Sequence, residues 1–88
     1  MVQLIQLINE ARNTVLTGRV YKHFRNGFRY KVLHIAINEE SLKPVIVYKA
    51  LYGDNIVFTR KLESWNSQVT YNQNIVPRFQ LQLEDELV

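Results

Sequence analysis

His23, Arg60 and Arg78 are residues whose types suit them to hold a small anion, and Glu63 completes an acid–base pair with His23 if folding joins them. An imidazole takes or gives a proton near neutral pH. A guanidinium grips carboxylate or phosphate through paired N–H donors. Each arginine has two readings. It either braces the fold against Glu63 or another carboxylate, or it holds an anionic ligand. His23 likewise either fixes the fold by hydrogen-bonding a backbone or carboxylate group, or touches a ligand. His34 lies among apolar residues and reads as a partly buried structural histidine. Two histidines and no cysteine make a poor metal site, because zinc takes three or four protein ligands. No serine or threonine occupies a Gly-x-Ser-x-Gly elbow. Glu39, Glu40, Asp54 and Glu63 show no paired spacing that would suit hydrolysis, and no phosphate loop is present. The chain therefore reads as a binding protein, with no enzyme activity and no cofactor expected.

Cations and aromatic rings are interleaved. Between Arg19 and Lys31 lie five cations (Arg19, Lys22, Arg25, Arg29, Lys31) and no carboxylate. The net charge is +3, but three of the eight acidic residues are Glu84, Asp85 and Glu86, which leaves eleven cations against five carboxylates over residues 1–83. Such asymmetry suits an anionic partner, although it also describes a solvated basic face. Ten aromatic residues accompany it, and a small fold needs most of them as core. Aromatic faces also stack on bases while guanidinium groups take phosphates. The ligand-contacting set expected on these grounds is Arg19, Tyr21, His23, Arg25, Arg29, Tyr48, Tyr52, Arg60, Trp65 and Arg78.

These residues sit on short elements. Leu4, Leu7, Ile8, Ala11 and Val15 follow the three-and-four spacing of an amphipathic helix over residues 2–16, with Gly18 just past its end. Arg19–Phe24 is then a short strand. Asn26-Gly27 signals a two-residue hairpin turn, with Arg25 and Arg29 exposed beside it. Phe28–Ile37 is a second strand, with Phe28, Tyr30, Val32, His34 and Ala36 on one face and Leu33, Ile35 and Ile37 on the other. Val45–Tyr52 is a third strand and Ile56–Lys61 a fourth. Leu62–Val69 reads as a helical turn carrying Trp65. Thr70–Asn74 reads as a loop, Ile75–Leu83 as a fifth, edge strand behind Pro77, and residues 84–88 as a frayed acidic tail. Eighty-eight residues make one domain, with the helix in residues 1–17 and the strands in 18–83. The expected class is mainly β (α+β): five strands curled into a barrel, preceded by an amphipathic helix that covers a sheet edge or binds a second copy.

The blocks together resemble a bacterial and phage family called domain of unknown function 1653. Gly18, Tyr21, His23, Phe24, Gly27, Tyr30 and Val32-Leu33 are similar to its opening. Val47-Tyr48-Lys49-Ala50-Leu51-Tyr52-Gly53 is similar to its Val-Tyr-x-Ala-Leu-Tyr-Gly block. Arg60, Leu62 and Glu63 resemble a Trp-Val-Arg-Pro-Leu-Glu segment, with Phe58 in place of tryptophan and Lys61 in place of proline. Trp65 stands where the family has phenylalanine, and Pro77-Arg78-Phe79 resembles its closing segment. The resemblance implies an SH3-like barrel and no established activity. The N-terminal helix lies outside it.

The expected function is non-catalytic binding of an anionic nucleotide-type ligand, either a small nucleotide, which such a module could sequester as a signal, or nucleic acid. The alternatives are a protein-interaction or oligomerisation module, through the N-terminal helix, and a small hydrolase. No apolar run reaches the ~20 residues that span a bilayer, and the N-terminus lacks the features of a signal peptide. No membrane partner and a cytoplasmic location are expected.

Overall fold

Alternation at period two builds the centre of the molecule. In the computed structural model, which describes residues 3–83, strand β3 (Pro44–Ala50) buries Ile46, Tyr48 and Ala50 and leaves Val45, Val47 and Lys49 half-buried. Strand β2 (Arg29–Ile37) starts in the same way, with Tyr30 and Val32 buried between exposed Arg29 and Lys31. The two pair antiparallel, and β3 pairs on its other side with β4 (Val57–Lys61). Strand β1 (Val20–His23) pairs with β2 and with the three-residue β7 (Phe79–Leu81). The sheet order is β4-β3-β2-β1-β7.

A bulge breaks the alternation in β2. Val32 faces Tyr48, but His34 faces Val47, so Leu33 is the extra residue. One inserted residue exchanges the faces beyond it. Ile35 therefore packs against the core, where strict alternation puts His34, and His34 is exposed and not part of the interior.

The protein is mainly β, with a short helix before the strands. The five-stranded sheet is open, because no ladder joins its edge strands β4 and β7. The expected fifth strand over 75–83 is instead divided. Asn74–Pro77 forms β6, which folds back on β5 (Gln68–Tyr71), and Phe79–Leu81 forms β7. Pro77 brings no N–H donor, and the Arg78 N–H goes to the Ser67 carbonyl at 3.0 Å, so the chain bends there. The expected loop at 70–74 is a hairpin whose turn residues Asn72 and Gln73 both have positive φ, 51° and 68°. In contrast, the β1–β2 connection is longer than two residues. Only Gly27 takes positive φ there, and its N–H bonds to the His23 carbonyl at 3.1 Å.

Helix α1 (Leu4–Ala11) stops short of the expected end. The N–H groups of Thr14 and Val15 both bond to the Ala11 carbonyl at 3.0 Å, which turns the chain and drops Val15 into the core. Helix α2 (Leu62–Trp65) is a single turn that delivers Trp65 to the same core. Trp65 touches Tyr21, Tyr48 and Phe79. Residues 84–88, including the acidic tail, lie outside the described residues. Trp65→Ala should lower stability by about 3–5 kcal/mol in denaturant unfolding, the range for deleting a large buried ring. Ile75→Ala, at a side chain 73% exposed, should change it by no more than about 0.5 kcal/mol.

Candidate functional site

Phe79 is the floor of a concavity that gathers two of the expected anion-binding residues. Trp65 covers one face of its ring, with centroids 3.8 Å apart and planes 3° from parallel. The Arg60 guanidinium lies over the Phe79 ring at 5.4 Å, and the His23 ring meets it edge-on at 5.1 Å. Arg60, His23 and Asn26 supply the polar lining, and Tyr30, Tyr48 and Phe58 the remaining aromatic wall. The space measures about 290 Å³. Arg60 reaches it because it faces Ile46 across the β3–β4 ladder, on the core side of the sheet, as Phe58 faces Tyr48.

Ser64 of α2 and Ser67 just beyond its end hold the arginines. Arg60 Nη1 donates to Ser64 Oγ at 3.0 Å, and Arg78 Nε donates to Ser67 Oγ at 2.9 Å. The Ser67 hydroxyl in turn donates to the Ser64 carbonyl at 2.7 Å. A hydroxyl is a neutral acceptor, so it orients a guanidinium without cancelling its charge. Among the described residues no carboxylate engages either group, and the bracing pair with Glu63 does not form. Arg60 Nε is buried with no partner among the described residues. A buried donor left in that state costs free energy until an acceptor reaches it.

His23 accepts a hydrogen bond at Nδ1 from the Arg25 N–H at 3.2 Å, which leaves Nε2 as the protonated nitrogen of the neutral ring. Its pKa is lowered from the ordinary 6.5, first by burial and then by the charges of Arg60, Arg78 and Arg25. Glu63 is not among the charges acting on it, so the fold does not bring it to His23 as the conditional acid–base pair requires. The phenols of Tyr30 and Tyr52 share a hydrogen bond of 2.8 Å, which holds Tyr52 above its ordinary 10.0.

The ten residues expected at a ligand separate into groups. His23, Tyr48 and Arg60 share the concavity. Tyr52 stands beside it through Tyr30, and Arg78 acts on His23 only through its charge. Tyr21 and Trp65 are core residues, with exposures of 5% and 2%, outside this concavity; they line a separate one beside Leu16 and Asn66. Tyr21 spends its hydroxyl as acceptor for the Leu16 N–H at 3.0 Å. Arg25 and Arg29 are exposed and Arg19 is half-buried, all outside the concavity. Sequence reasoning missed Phe79 and Phe58 as lining, and Ser64 and Ser67 as the groups that aim the arginines. Arg60 lies near the end of strand β4 and Ser64 in the α2 turn that follows, so their contact comes from the strand-to-helix junction and carries no periodic signal in the sequence.

Residues 19–81 match the family described as "Protein of unknown function (DUF1653)". The chain belongs to the DUF1653 family. A crystal structure of a DUF1653 protein from Bordetella bronchiseptica is similar to it, at 33% identity and a TM-score of 0.69 over 77% of this chain and 87% of that one. No functionally curated protein matches the chain. The family region contains the whole pocket and begins after α1. Among the described residues no helix is long and apolar enough to cross a membrane.

The depressed pKa of His23 has a stability consequence. Below pH 6.5 the unfolded chain binds a proton at this position before the folded chain does. Its contribution is therefore complete above 6.5 and is lost as pH falls from there through the lower folded value. Thermal unfolding followed from pH 8 to pH 5 should show His23→Gln losing less stability than the parent over the acidic half. Parallel curves for the two proteins would contradict this account.

Proposed function

We propose that this DUF1653 protein is a non-catalytic binding module that takes the phosphate of a small nucleotide between Arg60 and His23. The observation that carries the reading is the lining itself. The Arg60 guanidinium, held by a neutral hydroxyl, and the His23 imidazole, under the charges of three arginines, line one space, and among the described residues no carboxylate acts on either. Phe58, 40% exposed at the wall, supplies a face on which a base can stack. At about 290 Å³ the space is at the small end of ligand sites, which run from roughly 300 to 1,000 Å³, so it suits one nucleotide unit. Binding without turnover is the reading because His23 lacks a carboxylate to orient it as a base. Sequestration of a nucleotide signal is the biological role this chemistry suits. The SH3-like scaffold belongs to the same proposal, supported by the five-stranded antiparallel sheet with its separate β5–β6 hairpin.

A self-association reading rests on different residues. Leu4 and Ile5 of α1 are 42% and 56% exposed on a helix that lies outside the family region. Light scattering decides it, and a monomer at high protein concentration removes it.

The test of the nucleotide reading is calorimetric titration at low salt with mononucleotides, cyclic nucleotides and ADP-ribose. At least one should bind. Arg60→Gln should weaken it by about tenfold or more, since a hydrogen bond to a charged group contributes about 1.5–3 kcal/mol. A bound anion favours the imidazolium, so affinity should rise as pH drops below 6.5 and proton uptake should accompany binding. If none of these ligands binds, the proposal fails.

A further inference from the structure

We propose that strand β4 is a self-pairing edge, through which two copies of this chain join antiparallel about Thr59 into one continuous sheet. Strand β4 pairs with β3 on one side, and among the described residues no strand pairs with it on the other. One bond fixes the direction of its backbone groups. The Ala50 N–H donates to the Ile56 carbonyl at 2.9 Å, one step beyond the facing residues Lys49 and Val57. Bonded and non-bonded pairs alternate along an antiparallel ladder, so Tyr48–Phe58 and Ile46–Arg60 are the bonded pairs of this one. The N–H groups of Val57, Thr59 and Lys61 therefore point away from β3, to the open edge. An open edge is a template for a further strand, and proline or a bulge is a common means of blunting it. Strand β4 carries no proline, and its ladder with β3 runs without a register shift. Ile56, Val57 and Phe58, at its leading end, are each at least 40% exposed.

The strand is polar end to end, which selects its own copy as the occupant. Its apolar residues Val57 and Phe58 come first and its cations Arg60 and Lys61 last. Antiparallel self-pairing sets each copy's cationic end against the other's apolar end. The register follows by trial of each of the five residues as the two-fold centre. Arg60 or Lys61 at the centre sets a cation against its own copy, which destabilises a sheet. Val57 or Phe58 at the centre carries Lys61 past the partner strand, opposite the turn residues Gly53 or Asn55, both of positive φ. Thr59 at the centre keeps every residue opposite a strand and no cation opposite a cation. Thr59 then faces the partner's Thr59 and exchanges both backbone bonds with it, a pairing that threonine side chains favour. Phe58 faces the partner's Arg60, and a cation over an aromatic ring is attractive. Val57 faces the partner's Lys61, whose alkyl stem can lie along it. The same patch serves both copies, so the contact closes at two. A seam of five residues belongs to the small interfaces, and the dimer is therefore weak and concentration-dependent.

The seam is independent of the nucleotide reading, and Thr59 lies outside the His23–Arg60 concavity. The experiment is sedimentation velocity of the full chain over a concentration series. The parent should pass from monomer to dimer as concentration rises. Thr59→Lys and Thr59→Glu each place like charges face to face at the two-fold centre, and each should weaken the dimer by about tenfold or more. Residue 59 is exposed, so both variants should keep the parent's denaturant midpoint. An equimolar mixture of the two should recover the dimer, because residue 59 of one copy meets residue 59 of the other. A parent that stays monomeric at every concentration overturns the proposal. So does a dimer that survives in both single variants, which would assign association to Leu4 and Ile5 of α1, and so does a mixture no more associated than its components.

Discussion

The stacked contact between Trp65 and Phe79 packs the side of the sheet on which its edge strands β4 and β7 do not pair. Helix α2 carries Trp65, and β7 carries Phe79 at the far edge of the sheet from β4, the strand that leads into α2. Because β4 and β7 do not pair, aromatic packing across the open side takes over the work that closure would have done. Tyr48 bridges the pair from the middle strand, at 4.9 Å from Trp65 and 5.8 Å from Phe79. Tyr30 adds an edge-on contact with Phe79 at 5.9 Å. A small open sheet has one face to bury and few side chains with which to bury it. Rings of 150–250 Å² each are the efficient solution.

The position of the cations follows from that packing. Phe79 is covered by Trp65 on one face, and Arg60 occupies the space over it with its charge intact. A cation over a ring is attracted by the ring's quadrupole without being neutralised. The serine hydroxyls act in the same sense, fixing Arg60 and Arg78 in direction while leaving the field of both free to act on His23. Carboxylate partners would have stabilised the arginines more simply and would have closed the pocket electrostatically. The pocket is therefore cationic because of what packs beneath it and what holds it from the side.

Much of this was visible in the residues. The Val45–Ala50 alternation reads directly as a half-covered strand, and the observed burial follows it residue by residue. His23 and Arg60 stand out in the sequence as residue types suited to an anion, and they share one space. The failures have local causes. Nothing in Val32-Leu33-His34 announces a bulge, because all three residues are tolerated in a regular strand, yet the bulge decides that Ile35 and not His34 packs inward. The Asn72-Gln73 turn lacks the glycine that advertises positive φ, so a hairpin reads as a loop. Arg78 misses the pocket because the chain bends at its own N–H, a bond to Ser67 that no periodicity encodes. Residue type does not tell Tyr21 and Trp65 apart from surface rings, and only the three-dimensional packing shows that they are buried.

The two charged regions are linked through the parity of the strands. A side chain on β1, β2 or β3 points either to the aromatic core or away from it, and one residue of slip exchanges the two. Tyr21, Tyr30 and Tyr48 point inward, so Lys22, Arg29, Lys31 and Lys49 are directed outward by the same register. The rings anchor that register, because outward tyrosines would empty the core and inward lysines would bury four charges without partners. The cross-strand opposition of Lys22 with Arg29, and of Lys31 with Lys49, is then an unavoidable result of a core built from alternate aromatic positions. Neutral residues at the outward positions would have kept the same core and avoided the repulsion.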